Sequence, residues 1–140
     1  MSTLDDLASR GLIEAVEADD VTATKWLQDA ERHLDAAQRI ADLDPSGAYV
    51  LAYDAARKSV AAALLRTGHR VRIRPGAHQA LARYATSLTT QTGEPALGRF
   101  DRLRRNRNRS EYGSRSFGTA EVSEAINTAQ AIHAACAELI

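Results

Sequence analysis

The stretch DPSGAYVLAYDAARKSVAAALLRTG, residues Asp44–Gly68, decides the fold. Asp44 can cap a helix, and Pro45 at the first helical position gives up no hydrogen bond the helix needs. From there to about Thr67 the residues are nearly all small and apolar on one side, and Gly68 stops the helix by accepting a left-handed backbone. Ala is the best helix former and lets helix backbones approach closely. The 140 residues include only two Phe and one Trp, so the core must be built from Ala, Leu, Val and Ile, which favours closely packed helices.

Upstream, Thr24–Leu43 reads as a long amphipathic helix. Its stripe runs Leu27, Ala30, Leu34, Ala37 and Ala41, widened by Trp26 and Ile40, with a capping cluster at Asp19-Asp20-Val21-Thr22. Ser2–Val16 carries Leu4, Leu7, Ala8, Leu12 and Ala15, a helical stripe interrupted by Gly11, and reads as an arm packed on the main body. Downstream, His69-Arg70-Val71-Arg72-Ile73-Arg74 alternates basic and apolar residues before Pro75-Gly76. Strict alternation suggests an extended segment, but without a partner strand it is read as a connector.

Gly76–Leu88 reads as a shorter helix with Leu81, Tyr84, Ala85 and Leu88 inward, broken by the polar run Thr89–Gly93. Pro95 starts the next helix, whose inward line is Leu97, Phe100, Leu103 or Arg104, then Arg107; Gly113 ends it. After a loop at Ser114–Gly118, Thr119 caps a last helix with Val122, Ala125, Ile126, Ala129, Ile132, Cys136 and Leu139 on one stripe. The pattern predicts an all-α fold, an antiparallel up-and-down bundle of four or five helices with a short N-terminal helical arm. Residues 1–140 form a single domain on this reading, 1–20 the arm and 24–140 the bundle.

Composition narrows the function classes. The lone Cys136 lies among apolar residues and reads as a buried structural thiol. No 18-residue apolar run and no signal-peptide pattern occurs, so no membrane association is expected and a cytoplasmic location is the default. Sixteen Arg against two Lys hints at a GC-rich bacterial genome. None of the four His has metal-ligand spacing, and neither a phosphate loop, a Ser/His/Asp order nor helix-turn-helix spacing is present. No metal and no cofactor is expected.

Zero net charge hides a lopsided distribution. Residues 1–56 hold four Lys/Arg against twelve Asp/Glu, a net of −8; residues 57–115 hold fourteen against three, +11; residues 116–140 hold none against three, −3. Either folding gathers the basic half on one face that attracts a polyanion, or acidic and basic helices pair within the bundle or across a dimer.

The sharpest chemical feature is RFDRLRRNRNRSEYG, residues Arg99–Gly113, with six arginines within eleven residues. Such charges repel on a helix unless anions or carboxylates offset them. Asp101 and Glu111 are the local acids, and Glu111 is spaced to pair with Arg107. Arg107 continues the apolar line of Phe100 and Leu103/Arg104, so its side chain should turn toward the bundle or a partner, where a guanidinium needs acceptors. Asn108 and Tyr112, four apart, stack on the adjoining face.

Arg107-Asn108-x-x-x-Tyr112 resembles the signature of the HEPN family: Arg, a polar residue that is often Asn, a few residues, then His. Tyr53-Asp54-Ala-Ala-Arg-Lys58, Gly76-Ala-His78 and Phe100-Asp101-x-Leu103-Arg104-Arg105 agree with it, and the likeness spans roughly residues 25–140. The resemblance implies a four- or five-helix bundle that commonly dimerises, with two motifs facing across a cleft on the two-fold axis. Many such proteins are metal-independent endoribonucleases in toxin–antitoxin, antiphage or stress systems. There the ribose 2′-OH attacks the adjacent phosphate, an arginine stabilises the phosphate charge, and His moves protons.

By that resemblance Arg107 stabilises charge, Asn108 orients the site, and Tyr112 occupies the His position. His78, Arg104 and Glu111 are auxiliary candidates, and Arg102, Arg105 and Arg109 are assigned to nucleic-acid contact. His78, in line with Leu81, Ala85 and Leu88, is expected to face inward; His33 and His69 are expected at the surface. An unperturbed phenol near pKa ~10 is a poor general base at neutral pH. Three readings follow: an RNA-cleaving homodimer; a degenerate module binding a nucleotide, RNA or an acidic partner such as an antitoxin; or a structural oligomerisation domain whose arginines pair with the acidic first half.

Overall fold

In the computed structural model, residues 2–112 and 116–140 are described, residues 110–112 by their backbone alone. In chain order the elements are α1 (Thr3–Ser9), β1 (Ile13–Ala15), α2 (Asp20–Ile40), α3 (Pro45–Arg66), β2 (His69–Val71), α4 (Ala77–Thr92), a 3-10 turn at Pro95–Arg99, α5 (Phe100–Tyr112) and α6 (Thr119–Ala137). The fold is all-α, a helical bundle with one small ribbon.

Helix α3 is its axis. It packs against α2, α4, α5 and α6, and its buried residues, from Ala48 to Leu65, cover a broad side of the helix, with Asp54, Arg57, Lys58 and Ala61 half-buried on the opposite side. So broad an apolar side can meet several neighbours at once. Six alanines there let four neighbours approach: Ala48, Ala52, Ala55, Ala56, Ala62 and Ala63 are buried to 2% exposure or less, as is Ala30 of α2. The one buried hydroxyl on this helix, Ser59 Oγ, donates to the Ala55 carbonyl at 2.7 Å, so it brings no unsatisfied polar atom into the core. At the start Asp44 accepts from Gly47 N at 3.0 Å, with Pro45 in the first turn.

The arm departs from its expected form. Only Thr3–Ser9 is helical; Gly11, at φ 70°, turns the chain, and Ile13–Ala15 becomes a strand. It pairs antiparallel with His69–Val71 in the register Ile13↔Val71, Glu14↔Arg70, Ala15↔His69. The alternation at residues 69–74 is therefore a real strand signal whose partner lies far upstream, out of reach of a local reading. Opposite residues Glu14 and Arg70 form an ion pair at 2.7 Å, a cross-strand contact of the stabilising kind. Gly68, at φ 82°, is held by this ribbon: a Cβ would sit 3.2 Å from the Val16 carbonyl.

Three boundaries also move. Helix α4 runs past Leu88 to Thr92, with the Thr92 hydroxyl bonded to the Leu88 carbonyl at 2.8 Å, and stops where Gly93 takes φ 75°. Pro95 opens a 3-10 turn before α5, with Glu94 accepting from Ala96 N. Gly118, not Thr119, is the cap residue of α6, and no side chain caps it. The expected stop at Gly113 and the start of the following loop lie outside the described residues.

Among the described residues no helix is long and apolar enough to cross a membrane. Segregated charge is used partly for internal pairing: Asp6 of α1 holds Arg83 of α4 at 2.7 Å, and Glu14 holds Arg70 and, at 4.0 Å, Arg72. Leu7 is fully buried, against a body that α1 meets through α4. The Leu7→Ala variant should therefore lose about 2–5 kcal/mol of unfolding free energy in urea titrations. A loss below about 0.5 kcal/mol would mean that the arm contributes nothing to the fold.

Candidate functional site

Two tyrosines one turn apart on α3 hold α5 in place. Tyr49 stacks on Phe117 with ring centroids 4.0 Å apart and planes 3° from parallel, and its hydroxyl donates to the Leu103 carbonyl at 3.3 Å. Tyr53 meets Phe100 at 5.8 Å. Phe100 is fully buried and Leu103 nearly so, which fixes the rotation of α5 about its axis. Since a helix repeats every 3.6 residues, Arg107 must then follow Phe100 and Leu103 toward α3.

Arg107 is half-buried, and its guanidinium carbon stands 5.8 Å from the Tyr53 ring centroid, within cation–π range. Its Nε is buried. The group thus stands over a core aromatic at the outer limit of that range, on the side of α5 that the core fixes. Asp54 and Arg57, an ion pair at 3.6 Å, lie beside Tyr53 on α3. Arg57, Arg107 and Arg104 all act on the Tyr53 phenol, yet burial outweighs them and its pKa stays above the ordinary value of 10.0. The phenol is a protonated donor at neutral pH, in a field set by three guanidinium groups.

The remaining arginines of α5 splay apart. Arg104, 16% exposed, and Arg105, mostly exposed, share Asp101, at 2.7 and 3.1 Å. Asp101 and Arg104 face a shallow depression with Arg83 and Thr86 of α4. Arg102 and Asn106 face another, opposite Glu121 and Glu124 of α6. Arg102 and Arg109 are exposed, and Arg109 donates to Asn106 Oδ1 at 2.7 Å. The six arginines thus make no single basic face; Arg107 alone turns onto Tyr53. Asn108 adjoins it in sequence and is half-buried. The side chains of Glu111 and Tyr112 lie outside the described residues.

His78 does not face inward. It is exposed near the start of α4 and lines a groove with Trp26 and Arg57 whose lining does not include Arg107. His78 keeps the line of Leu81 but lies in the first turn of α4, one turn before the buried run Ala80-Leu81-Ala82, where it is left uncovered. His33 is half-buried and its Nε2 is 2.8 Å from Lys58 Nζ. Burial and then the Lys58 charge lower its pKa, so it is neutral at pH 7. His133 donates from Nε2 to the Leu27 carbonyl at 3.0 Å and ties α6 to α2. Cys136 is buried and its thiol is pushed up to about 12 by burial, which makes it inert. Among the described residues no three His, Cys, Asp or Glu side chains converge to hold a metal ion.

Tyr53 and Arg57 are the site residues that a reading of the motif alone overlooks. Their signal is present in the sequence as Tyr53-Asp54-x-x-Arg57, an aromatic and charged patch interrupting an otherwise Ala-rich helix. Compared with known protein families, residues 23–139 match the HEPN domain. No curated protein and no solved structure matches the chain.

A double-mutant cycle on Arg107→Ala and Tyr53→Leu should return a coupling of about 0.5–2 kcal/mol. Tyr53→Phe, which keeps the ring, should preserve most of it; zero coupling would mean that the two groups do not support each other. A second expectation concerns alkali. The phenol of Tyr84 is pushed up to about 12 by burial, and that of Tyr53 is raised in the same direction. The unfolded chain releases these protons first, so their contribution is complete below pH ~10 and falls as pH rises from there toward ~12. Urea midpoints at about pH 9 and pH 11 read the loss.

Proposed function

The chain belongs to the HEPN family, and on that premise we propose that it acts on RNA as a metal-independent endoribonuclease centred on Arg107. The observation that carries this reading is the half-buried Arg107 guanidinium packed over Tyr53. A cation whose position is fixed before substrate arrives stabilises phosphate charge without reorganisation, which is the electrostatic contribution such cleavage needs. In the reaction the ribose 2′-hydroxyl gives its proton to solvent water as its oxygen attacks the adjacent phosphorus, and the 5′-oxygen leaves as a 5′-hydroxyl with a proton that solvent restores to the donor, giving a 2′,3′-cyclic phosphate. Arg107 bears on the non-bridging oxygens, Asn108 orients the phosphate, and Tyr112 supplies a proton to the leaving oxygen. A second copy of the chain completes the cleft across a two-fold axis. The biological setting that fits is a toxin, defence or stress factor held in check by an acidic antitoxin.

A specific observation favours a second reading, a binding module without cleavage. Tyr112 stands where the family carries His, and a phenol is a weak base near neutral pH. The exposed placement of His78 does not supply the missing imidazole at Arg107.

Purified protein incubated with total RNA in excess EDTA should yield fragments with cyclic-phosphate ends. Arg107→Ala should slow their appearance by about 100-fold or more. Cleavage that survives this substitution would remove the assignment of Arg107. Salt-sensitive RNA binding with no cleavage would select the second reading, since phosphate contacts weaken as salt rises.

A further inference from the structure

One groove lies outside the Arg107 cleft. Its volume is about 740 Å³, and it runs between α2, α3 and the segment from β2 into α4. Trp26, Arg57, Arg70, Arg72, Arg74 and His78 line it, over an apolar floor that includes Leu64 and Leu81.

Its charge is only partly compensated. Glu14 serves both Arg70 (2.7 Å) and Arg72 (4.0 Å), and Asp54 serves Arg57 at 3.6 Å. Arg74 is held by a neutral acceptor, the Gly11 carbonyl, at 3.0 Å. Four guanidinium groups thus share two carboxylates. The helix that opens from the groove, α4, has no acidic residue in its first turn and no side-chain cap. Between Arg72 and Arg74, Ile73 is completely exposed, although it is one of the larger apolar residues of the chain. A connector that needed only to join two elements would present neither three cations nor a bare isoleucine to solvent.

Arg57 links the groove to the first site. Arg57 lies one turn beyond Tyr53 on α3, and Tyr53 carries Arg107. The cations therefore follow one another: Arg107 over Tyr53, then Arg57, then Arg72 and Arg74. Arginine, with its planar fork, suits phosphate oxygens better than the point charge of lysine. Trp26 adds a surface on which a base can stack, which requires an unpaired base and so a single strand.

We propose that this groove is the approach track for a single-stranded RNA whose reacting phosphate lies at Arg107. Arg57, Arg72 and Arg74 take flanking phosphates, and Trp26 stacks one base. The proposal rests on the RNA-directed reading above and adds where the strand runs. It favours RNA over an acidic protein because a wall holding an indole among guanidinium groups matches alternating bases and phosphates.

The test is fluorescence anisotropy with a labelled single-stranded RNA 12-mer, an oligoglutamate peptide of matched charge, and the full-length protein. Arg72→Ala/Arg74→Ala should weaken RNA binding about tenfold or more at ~0.1 M salt and lower the salt slope by roughly 1–2. Trp26→Ala should weaken it about 5- to 100-fold, whereas Trp26→Phe, a check on folding as well as on stacking, should retain most of the affinity. If RNA binds and Arg107→Ala weakens it while the groove variants change neither affinity nor salt slope, the track is wrong and the Arg107 site stands. If oligoglutamate binds as tightly and responds to the same variants, the groove takes an acidic protein and the RNA track is overturned. If the wild-type protein binds no RNA, both readings fall together.

Discussion

The contact between the Arg107 guanidinium and the face of Tyr53 links the core to the functional surface. Water normally solvates an arginine on all sides and leaves it free to sample many rotamers. Here the buried line of Phe100 and Leu103 fixes the rotation of α5, and the next position inward on that line is charged. The ring of Tyr53 replaces part of the hydration that Arg107 gives up, at the cost of partial desolvation. Tyr49 contributes from one turn away, since its hydroxyl is bonded to the α5 backbone at Leu103. A shift of α5 by one residue would swing Arg107 off its support and place an asparagine there instead.

Electrostatics and packing oppose each other along this helix. Five arginines on α5, with Arg99 just before it, raise the energy of the helix through mutual repulsion. Asp101 absorbs two of them, and Asn106 accepts from another. Splaying the rest onto different sides of the bundle separates the charges further. What remains is a surface whose positive potential is distributed along α5 and across α3 to the β2–α4 segment, as the charge segregation of the sequence allows. The pairing alternative is realised too, but in the arm: Asp6 and Glu14 reach Arg83 and Arg70.

Much of the fold is legible in the sequence, for a physical reason. The stripes of α2 and α6 and the start of α3 depend on residues three and four apart, and Leu27, Leu34, Val122 and Ile132 lie where that spacing puts them. The ribbon is not legible, because its partners are distant in sequence and each strand is only three residues long. Helix ends are less legible, since α4 runs through a polar stretch to Thr92 and Gly118 caps α6 without a side chain. For the site, periodicity turns Arg107 inward, but what it meets depends on the packing of α3 on α5. Tyr53 and Arg57 therefore emerge from the three-dimensional arrangement, and His78 is exposed because the first turn of α4 extends past the elements that cover Leu81.

The most direct measurement is an NMR titration that follows the arginine Nε–Hε resonances as a non-cleavable, 2′-deoxy-substituted single-stranded oligonucleotide is added. The free protein should show a sharp Arg107 resonance, shifted by the ring of Tyr53, that moves early and saturably with ligand. An Arg107 signal that stays fixed while those of the exposed Arg102 and Arg109 move would contradict the assignment of Arg107.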